Sequence, residues 1–432
     1  MLDRRKFLKK TATVGAAAAT LPIMACAENP KEKAATSEQI KTNGLYVPKN
    51  IEEEISSRVK NKLTSPVIID KIEVVVARKR YFTRITDKEG NQGVAAMNSG
   101  RFKSTETIFK KLAAANFIGK DAREVAHLPN DILKVERNYK FVGLPYWNAI
   151  GTIEIAIWDL LGKLTNKPVH HYLGKQIRTE YPVYISSLER EKPFEGETER
   201  IQKTVEITGA TATKIKIGGR MKNIEPFITR TNQFVPHVRK TFGDDFTIYV
   251  DGNSSYTANE AIEVLKMLES YDVKFFEEPC YWQDLWSHKL VKGASTTCAI
   301  AGGEQDSSFD QFKLMCEIKA MDILQPDVYY HGGIVRTLKI SHMAAHYGVG
   351  FTPHSPKAGP MAAAPNQVFA VCPVLTAHQE YRVGGEEKQK SWHTPVLPKN
   401  GNISIFTAPG LGIEYANDLW KEEKIYWTSN DA

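Results

Sequence analysis

TIYVDGN (residues 247–253), VKFFEEP (273–279) and CAIAGGEQ (298–305) repeat one pattern within a single stretch of chain: a short β-rich run that ends in an acid and passes into a turn. The window at 258–268 between the first two has helical periodicity. Working outward, five more β-rich runs keep the alternation, at 181–187 and 213–217 before the stretch and at 321–327, 348–354 and 375–381 after it. Helical windows fall at 197–208 and 333–345. Eight strands alternating with helices predict an α/β fold, a (β/α)8 TIM-like barrel.

The chemistry sits where these runs end. Lys214 and Lys216 close the second, Asp251 the third, Glu277 the fourth and Glu304 the fifth; Asp327, His354 and Glu380 close the last three. In such barrels the C-terminal strand ends converge on one mouth, where active sites lie. Asp251, Glu277 and Glu304 would form a cluster of hard oxygen donors whose mutual repulsion calls for a divalent cation, and all-oxygen ligation favours Mg²⁺. Lys214 and Lys216 alternate with Ile215 and Ile217, so both lysines share one face, the inward one on a barrel strand. Burying two ammonium groups side by side is expected to lower the pKa of at least one, as a lysine general base requires. Asp327 and His354, on adjacent strands, form a second acid/base pair in which the carboxylate orients the imidazole.

Taken in order, KIK (214–216), DGN (251–253), FEEP (276–279), GGEQ (302–305), QPD (325–327) and TPHSP (352–356) resemble the mandelate racemase group of the enolase superfamily. The resemblance extends from about residue 66 to 420 and includes WDLLGK (158–163) and GLGIE (410–414). It implies an α+β capping domain over the barrel, Lys216 as one base and the His354–Asp327 dyad as the other. It also implies Asp251, Glu277 and Glu304 as Mg²⁺ ligands, Lys214 as the residue tuning its neighbour, and Glu380 as an acid contacting the substrate carboxylate. The chemistry implied is removal of the proton α to a carboxylate. Loss of a β-hydroxyl would then give a 2-keto-3-deoxy acid, the reaction of an acid-sugar dehydratase. HSPKAGP (354–360) resembles galactonate dehydratase-type members, although Asn253 stands where some of those place a second histidine. A racemase or epimerase, a cycloisomerase of an anhydro-sugar acid or lactone, and an exported non-catalytic binding protein are the alternatives. Asn253 and Arg101 are expected to touch substrate, and Tyr146 and Trp147 could reach the pocket. The loop between the first two capping strands is nearly absent between Arg78 and Arg84.

The first residues belong to a different category. Arg4-Arg5-Lys6-Phe7-Leu8-Lys9 followed by an apolar, alanine-rich run to Ala25 has the form of a Tat export signal, and Ile23-Met24-Ala25-Cys26 that of a lipobox. The expected location is therefore periplasmic, with a membrane attachment only through a lipid on Cys26. The expected organisation is a signal at 1–26, a tether at 27–65 with a short helix near 51–63, a capping domain at 66–179, the barrel at 180–400, and a segment at 401–432 packing back on the cap. The net charge of +7 falls to about +3 once the signal is set aside, and no basic stripe suggests nucleic acid. The five cysteines show no metal-ligand or disulfide spacing. The expected partners are a small acid-sugar carboxylate and further copies of the chain in a homo-oligomer.

Overall fold

The computed structural model describes residues 50–431. The export signal, Cys26 and residues 27–49 of the tether lie outside the described residues. Among the described residues no helix is long and apolar enough to cross a membrane.

The cap begins with the helix Ile51–Lys60, whose Ile55 and Val59 are fully buried and whose Arg58 reaches the carbonyls of Tyr172 and Leu173 at 3.2 and 3.0 Å. Strands β1 (Ile69–Ala77), β2 (Arg80–Asp87) and β3 (Gln92–Ala96) follow as an antiparallel meander. Arg78 and Lys79 alone join β1 to β2, both with positive φ (46° and 61°), so the hairpin is as short as a hairpin can be. The helical window at 105–115 is less regular than its periodicity suggests: a helix Ser99–Thr107 gives way to a π-helix at Ile108–Ala114, with Thr105 at φ −120°. The Thr105 hydroxyl donates to the Arg101 carbonyl, as threonines inside helices do when the ladder bends.

The long helix Leu144–Leu164 is apolar on nearly every face because it is covered from both sides. Glu154, fully buried within it, accepts from Trp158 Nε1 (2.9 Å) and from the backbone N–H groups of Ile334 and Val335 (2.9 and 3.1 Å), the first turn of a barrel helix. Asp159 accepts from the N–H groups of Val94 and Leu411 at 2.8 and 3.1 Å. A Cβ on Gly162 would stand 2.6 Å from Gly410 Cα. The WDLLGK and GLGIE motifs are thus two halves of one close contact between the cap and the end of the chain.

The barrel strands are β4 (Glu180–Ser186), β5 (Ala212–Lys216), β6 (Thr247–Asp251), β7 (Val273–Glu277), β8 (Ala299–Gly302), β9 (Ile323–Leu324), β10 (Gly350–Phe351) and β11 (Gln379–Arg382). All run parallel in the order β10-β9-β8-β7-β6-β5-β4-β11, and Thr376 N–H donates to the Phe351 carbonyl (3.0 Å) between the two ends of that order. Strands expected to run to Glu304, Asp327 and His354 stop two or three residues earlier. Those three side chains stand on extended segments beyond the strands, since Gly303 (φ 108°), Pro326 and Pro353 cannot continue a ladder.

The alternation within each strand sorts the interior into layers. Ile215, Ile248, Val250, Phe276 and Ile300 face the surrounding helices, while Tyr184, Ala212, Tyr249, Phe275 and Ala301 plug the barrel. Tyr249 and Phe275 stack with ring centres 4.0 Å apart. One step further along, the same inward face carries Ser186, Lys214 with Lys216, Asp251 and Glu277. An apolar floor therefore supports a charged ceiling.

Two more strands end the chain. β12 (Asn402–Ser404) pairs antiparallel with β4, and β13 (Lys424–Thr428) pairs with β1 to give the cap sheet the order β13-β1-β2-β3. In segment 401–432, β12 thus stays with the barrel, Gly410 and Leu411 pack on the long cap helix, and β13 joins the cap sheet.

Candidate active site

Register builds the first half of the site. Lys216 lies opposite Asp251 across the β5–β6 pair, Asp251 opposite Glu277 across β6–β7, and Glu277 opposite Ala301 across β7–β8. Three inward side chains thus fall in one row. Lys216 is ion-paired to Asp251 and lies 3.4 Å from Asn253 Oδ1. Lys214, one layer below and fully buried, sits between Glu277 Oε2 (2.6 Å) and Glu380 Oε1 (3.2 Å).

The second half is assembled from loops. His354 Nδ1 lies 2.8 Å from Asp327 Oδ2, and its Nε2 3.2 Å from Glu304 Oε2. Asp327 Oδ1 accepts from the Tyr329 N–H (2.8 Å), while Lys357 Nζ donates to Oδ2 (2.8 Å). Glu380 is held by the Ser186 hydroxyl and the Ser355 N–H, both at 2.7 Å.

Charge states follow from these partners. Burial alone would push the Asp327 carboxyl up, but Lys357 and His354 hold it well below the usual range. Burial likewise opposes charge on His354, yet Glu304 and Asp327 raise its pKa and favour the imidazolium. Lys214 is not the lysine of lowered pKa expected of at least one member of the pair. Despite its burial, the carboxylates of Glu277 and Glu380 hold its ammonium well above the ordinary value.

Glu277 behaves in the opposite sense. Burial first, and then the charges of Asp251 and Glu304 against the relief from Lys214, push its carboxyl up to about 8. Glu277 Oε1 is buried without a hydrogen-bond donor, and Glu304 Oε2 has only the His354 ring nitrogen beside it, outside hydrogen-bond geometry. One oxygen from each of Asp251, Glu277 and Glu304 lies within 4.8 Å of the other two. Orphaned oxygens among converging carboxylates fit a divalent cation, which supplies the missing positive charge and the missing contacts.

The eight strand-end residues singled out in the sequence are therefore brought together at one mouth. Asn253 is buried, and its Oδ1 accepts from Arg190 Nη2 at 2.8 Å. Arg101 reaches over from the cap and lays its guanidinium 4.2 Å above the Tyr330 ring, which lies 6.0 Å from His354. Tyr146 and Trp147 pack against each other, and Trp147 lies 3.6 Å beneath the guanidinium of Arg336, a packing role. Four residues outside the predicted set complete the site. Arg190 also donates to the Asp251 carbonyl (3.2 Å), and Gln325 Nε2 donates to Glu277 Oε2 (2.8 Å). Lys357 shares Asp327, and Tyr330 lies beside His354. Gln325 and Lys357 fall inside the quoted QPD and HSPKAGP runs, a signal that the sequence does offer. Arg190 follows β4 in a stretch with no motif.

Two family models divide the chain much as the fold does. The one described as Enolase C-terminal domain-like matches residues 197–419. That of the mandelate racemase / muconate lactonizing enzyme N-terminal domain matches residues 52–174. An arabinonate dehydratase of Saccharolobus solfataricus is 26% identical over 348 residues, 79% of this chain and 90% of the relative. A D-galactarolactone cycloisomerase of Agrobacterium fabrum is 28% identical over 320 residues, 71% of this chain and 82% of the relative. The crystal structure of a mandelate racemase/muconate lactonizing protein from Paracoccus denitrificans, complexed with magnesium, superposes with a TM-score of 0.75 at 24% identity, covering 82% of this chain and 97% of the other.

Proposed function

Because the chain belongs to the mandelate racemase/muconate lactonizing enzyme family of the enolase superfamily, we propose that it is a magnesium-dependent acid-sugar dehydratase, removing the proton α to a carboxylate and expelling a β-hydroxyl. One observation carries the reading: a lysine and a histidine stand at opposite ends of the carboxylate row, Lys216 on Asp251 and His354 beside Glu304. Asp251, Glu277 and Glu304 are the residues to hold the cation, whose charge offsets that of the substrate carboxylate and the further charge that develops as the α-proton leaves.

The protein's own groups divide the proton traffic. Lys214 is locked as an ammonium between two acids, which leaves Lys216, once it has given up its own proton and is a neutral amine, to accept the α-proton. The resulting enediolate expels the β-hydroxyl as His354, an imidazolium steadied by Asp327, donates its Nε2 proton; water departs, and the enol relaxes to the 2-keto-3-deoxy acid. A Lys or His base set against a magnesium site recurs across this superfamily. Dehydratases among the relatives support the outcome.

Asn253 favours a second reading. With its amide taken up by Arg190 it is no acid, so among the described residues His354 is the histidine placed at the row, and returning a proton to the far face of the enediolate would give a racemase or epimerase. Protein lacking residues 1–26, incubated with Mg²⁺ and a panel of acid sugars and lactones in D₂O, separates the readings by proton NMR. Loss of the α-proton with a new 3-deoxy signal supports the dehydratase. Deuterium uptake without loss of water supports the isomerase, and no change across the panel rejects both in favour of a binding protein.

Export through the Tat route to the periplasm, with a lipid on Cys26, is proposed on the Arg4-Arg5 and Ile23–Cys26 motifs. Replacing both arginines by lysine should hold a reporter fusion in the cytoplasm; unaltered export would refute the assignment. Homo-oligomeric assembly is part of the same reading, and a monomer in sedimentation velocity would overturn it.

A further inference from the structure

The cations around the mouth can be accounted for one by one. Lys214 is matched by Glu277 and Glu380, Lys216 by Asp251, and Lys357 by Asp327. Arg190 Nε and Nη2 donate to the Ile217 and Asp251 carbonyls and to Asn253 Oδ1, while its Nη1 and the Nε of Arg382 are buried without an acceptor. Arg101 is placed differently, since it comes from the cap. Its backbone N–H is fixed by Asn98 Oδ1 (3.1 Å) at the start of its helix, and its guanidinium is stacked 4.2 Å over Tyr330. Among the described residues it forms no ion pair, and its Nε is closed off from solvent with no acceptor.

Such an arrangement is costly to the free protein. A half-buried guanidinium held on an aromatic platform with no anion forgoes the charge-assisted hydrogen bonds that its planar fork is shaped to make. The stack fixes its direction, so the loss is repaid when an anion arrives in the plane of the fork. The place is also specific. Arg101 and His354 both lie against the Tyr330 ring, at 4.2 and 6.0 Å from its centre, so the cation stands at the histidine end of the mouth.

We propose that Arg101 binds a second carboxylate at the far end of the substrate, which makes the substrates acid sugars oxidised at both ends. The inference rests on the reading of the mouth as a site for α-proton abstraction from an acid sugar. The carboxylate beside the reacting carbon belongs at the cation that Asp251, Glu277 and Glu304 would hold, whereas Arg101 stands on the ring beside His354. A six-carbon diacid, with C–C bonds of about 1.5 Å, extends roughly 6–7 Å between its terminal carbons, comparable with the 6.0 Å that separates the His354 and Tyr330 rings. Hydroxyl groups alone would leave the guanidinium unpaired, so a chain ending in CH₂OH gains little from it.

The test uses the full-length protein with Mg²⁺ and matched pairs of ligands that differ only in a terminal CH₂OH or carboxylate. Calorimetry gives the affinities of wild type, Arg101→Leu and Arg101→Lys, and NMR follows turnover on the same samples. Wild type should bind diacids on the order of 100-fold more tightly than monoacids, as expected for a bidentate pair with a carboxylate. In Arg101→Leu that preference should collapse, with the loss in KM rather than kcat, and Arg101→Lys should restore part of it. Equal affinity for both ligand types in wild type, no binding of either, or an equal weakening of both by Arg101→Leu would each overturn the assignment. Selective, Arg101-dependent binding of diacids without turnover would sustain it while rejecting the catalytic reading on which it was built.

Discussion

The two halves of the mouth reach similar chemistry by different construction. Lys214, Lys216, Asp251 and Glu277 stand on five-residue strands, and the ladder register alone sets them opposite one another. Asp327 and His354 lie beyond two-residue strands, and Glu380 stands on a four-residue one. They are aimed by individual hydrogen bonds from loops and side chains, Asp327 by Tyr329 and Lys357 and Glu380 by Ser355 and Ser186, with His354 held in turn by Asp327. The first half is thus rigid because the backbone is rigid; the second is as rigid as its side-chain contacts. A base that must sit against a cation site gains from the former. An acid that serves substrates of different shape can be moved by changing a loop, which is why loops on a fixed scaffold carry so much of an enzyme's individuality.

The largest effect should come from the row itself. Glu277→Gln is expected to lower turnover at least ~10³-fold, with Mg²⁺ affinity falling in calorimetry, because it removes a donor from the site of developing charge. Turnover within about tenfold of wild type would remove the row from the mechanism. Lys214→Met tests rigidity. It strands Glu277 and Glu380 in the interior and should cost roughly 3–5 kcal/mol of stability in denaturant unfolding, whereas a loss below about 1 kcal/mol would contradict the structural role given to this pair.

Asp327→Asn asks the corresponding question of the loop-built half. It should lower dehydration turnover by roughly 10²-fold or more, since the imidazole loses both its orientation and its counter-charge. Mg²⁺ affinity should stay near wild type, and a parallel loss of metal binding would show that the halves are not separable.

Opposite pH dependences sharpen the contrast further. In metal-free protein the Glu277 carboxyl is pushed up to about 8 from an ordinary 4.5. Between those values the unfolded chain has released a proton that the folded state keeps, so this group makes stability fall as pH rises. Mg²⁺ should flatten the decline and release protons on binding. Asp327 works the other way: its pKa is depressed, so its contribution is present above the ordinary carboxylate pKa of 3.8 and is lost as pH falls through its folded value. Melting temperatures across the acid and neutral range, with and without Mg²⁺, would reveal both limbs. A profile that Mg²⁺ leaves unaltered above about pH 5 would argue against a strained carboxylate row. The smallest effect belongs to Ser186→Ala, which removes one buried donor to Glu380 and should cost about 1 kcal/mol. A loss above roughly 3 kcal/mol would mean that the loop-built half is as tightly coupled as the strand-built one.

Legibility in the sequence follows the same division. Asp251 and Glu277 end regular alternating runs, and both strands stop at the residue where the pattern ends. Glu304, Asp327 and His354 obey the same pattern, but their strands are shorter than it suggests, because Gly303, Pro326 and Pro353 end hydrogen bonding without ending the extended backbone. The raised pKa of Lys214 runs against the local pattern for a related reason: its neighbours along the chain are isoleucine and threonine, while the acids that decide its charge, Glu277 and Glu380, arrive from other strands. Nothing local distinguishes Arg190 from any loop arginine, so its place beside Asp251 is invisible until the chain is folded.

What the sequence by itself determined is the part governed by short-range periodicity. Inward and outward faces alternate every residue, one βα unit follows another at nearly constant spacing, and the ordered acids mark one mouth. Which side chains meet across that mouth was decided only by the tertiary structure. Ser186 finds Glu380 across 194 residues, and Arg101 crosses from the cap to Tyr330, because strand order and helix packing bring distant backbones to fixed separations. A contact energy depends on those separations in space, and a linear pattern carries no record of them.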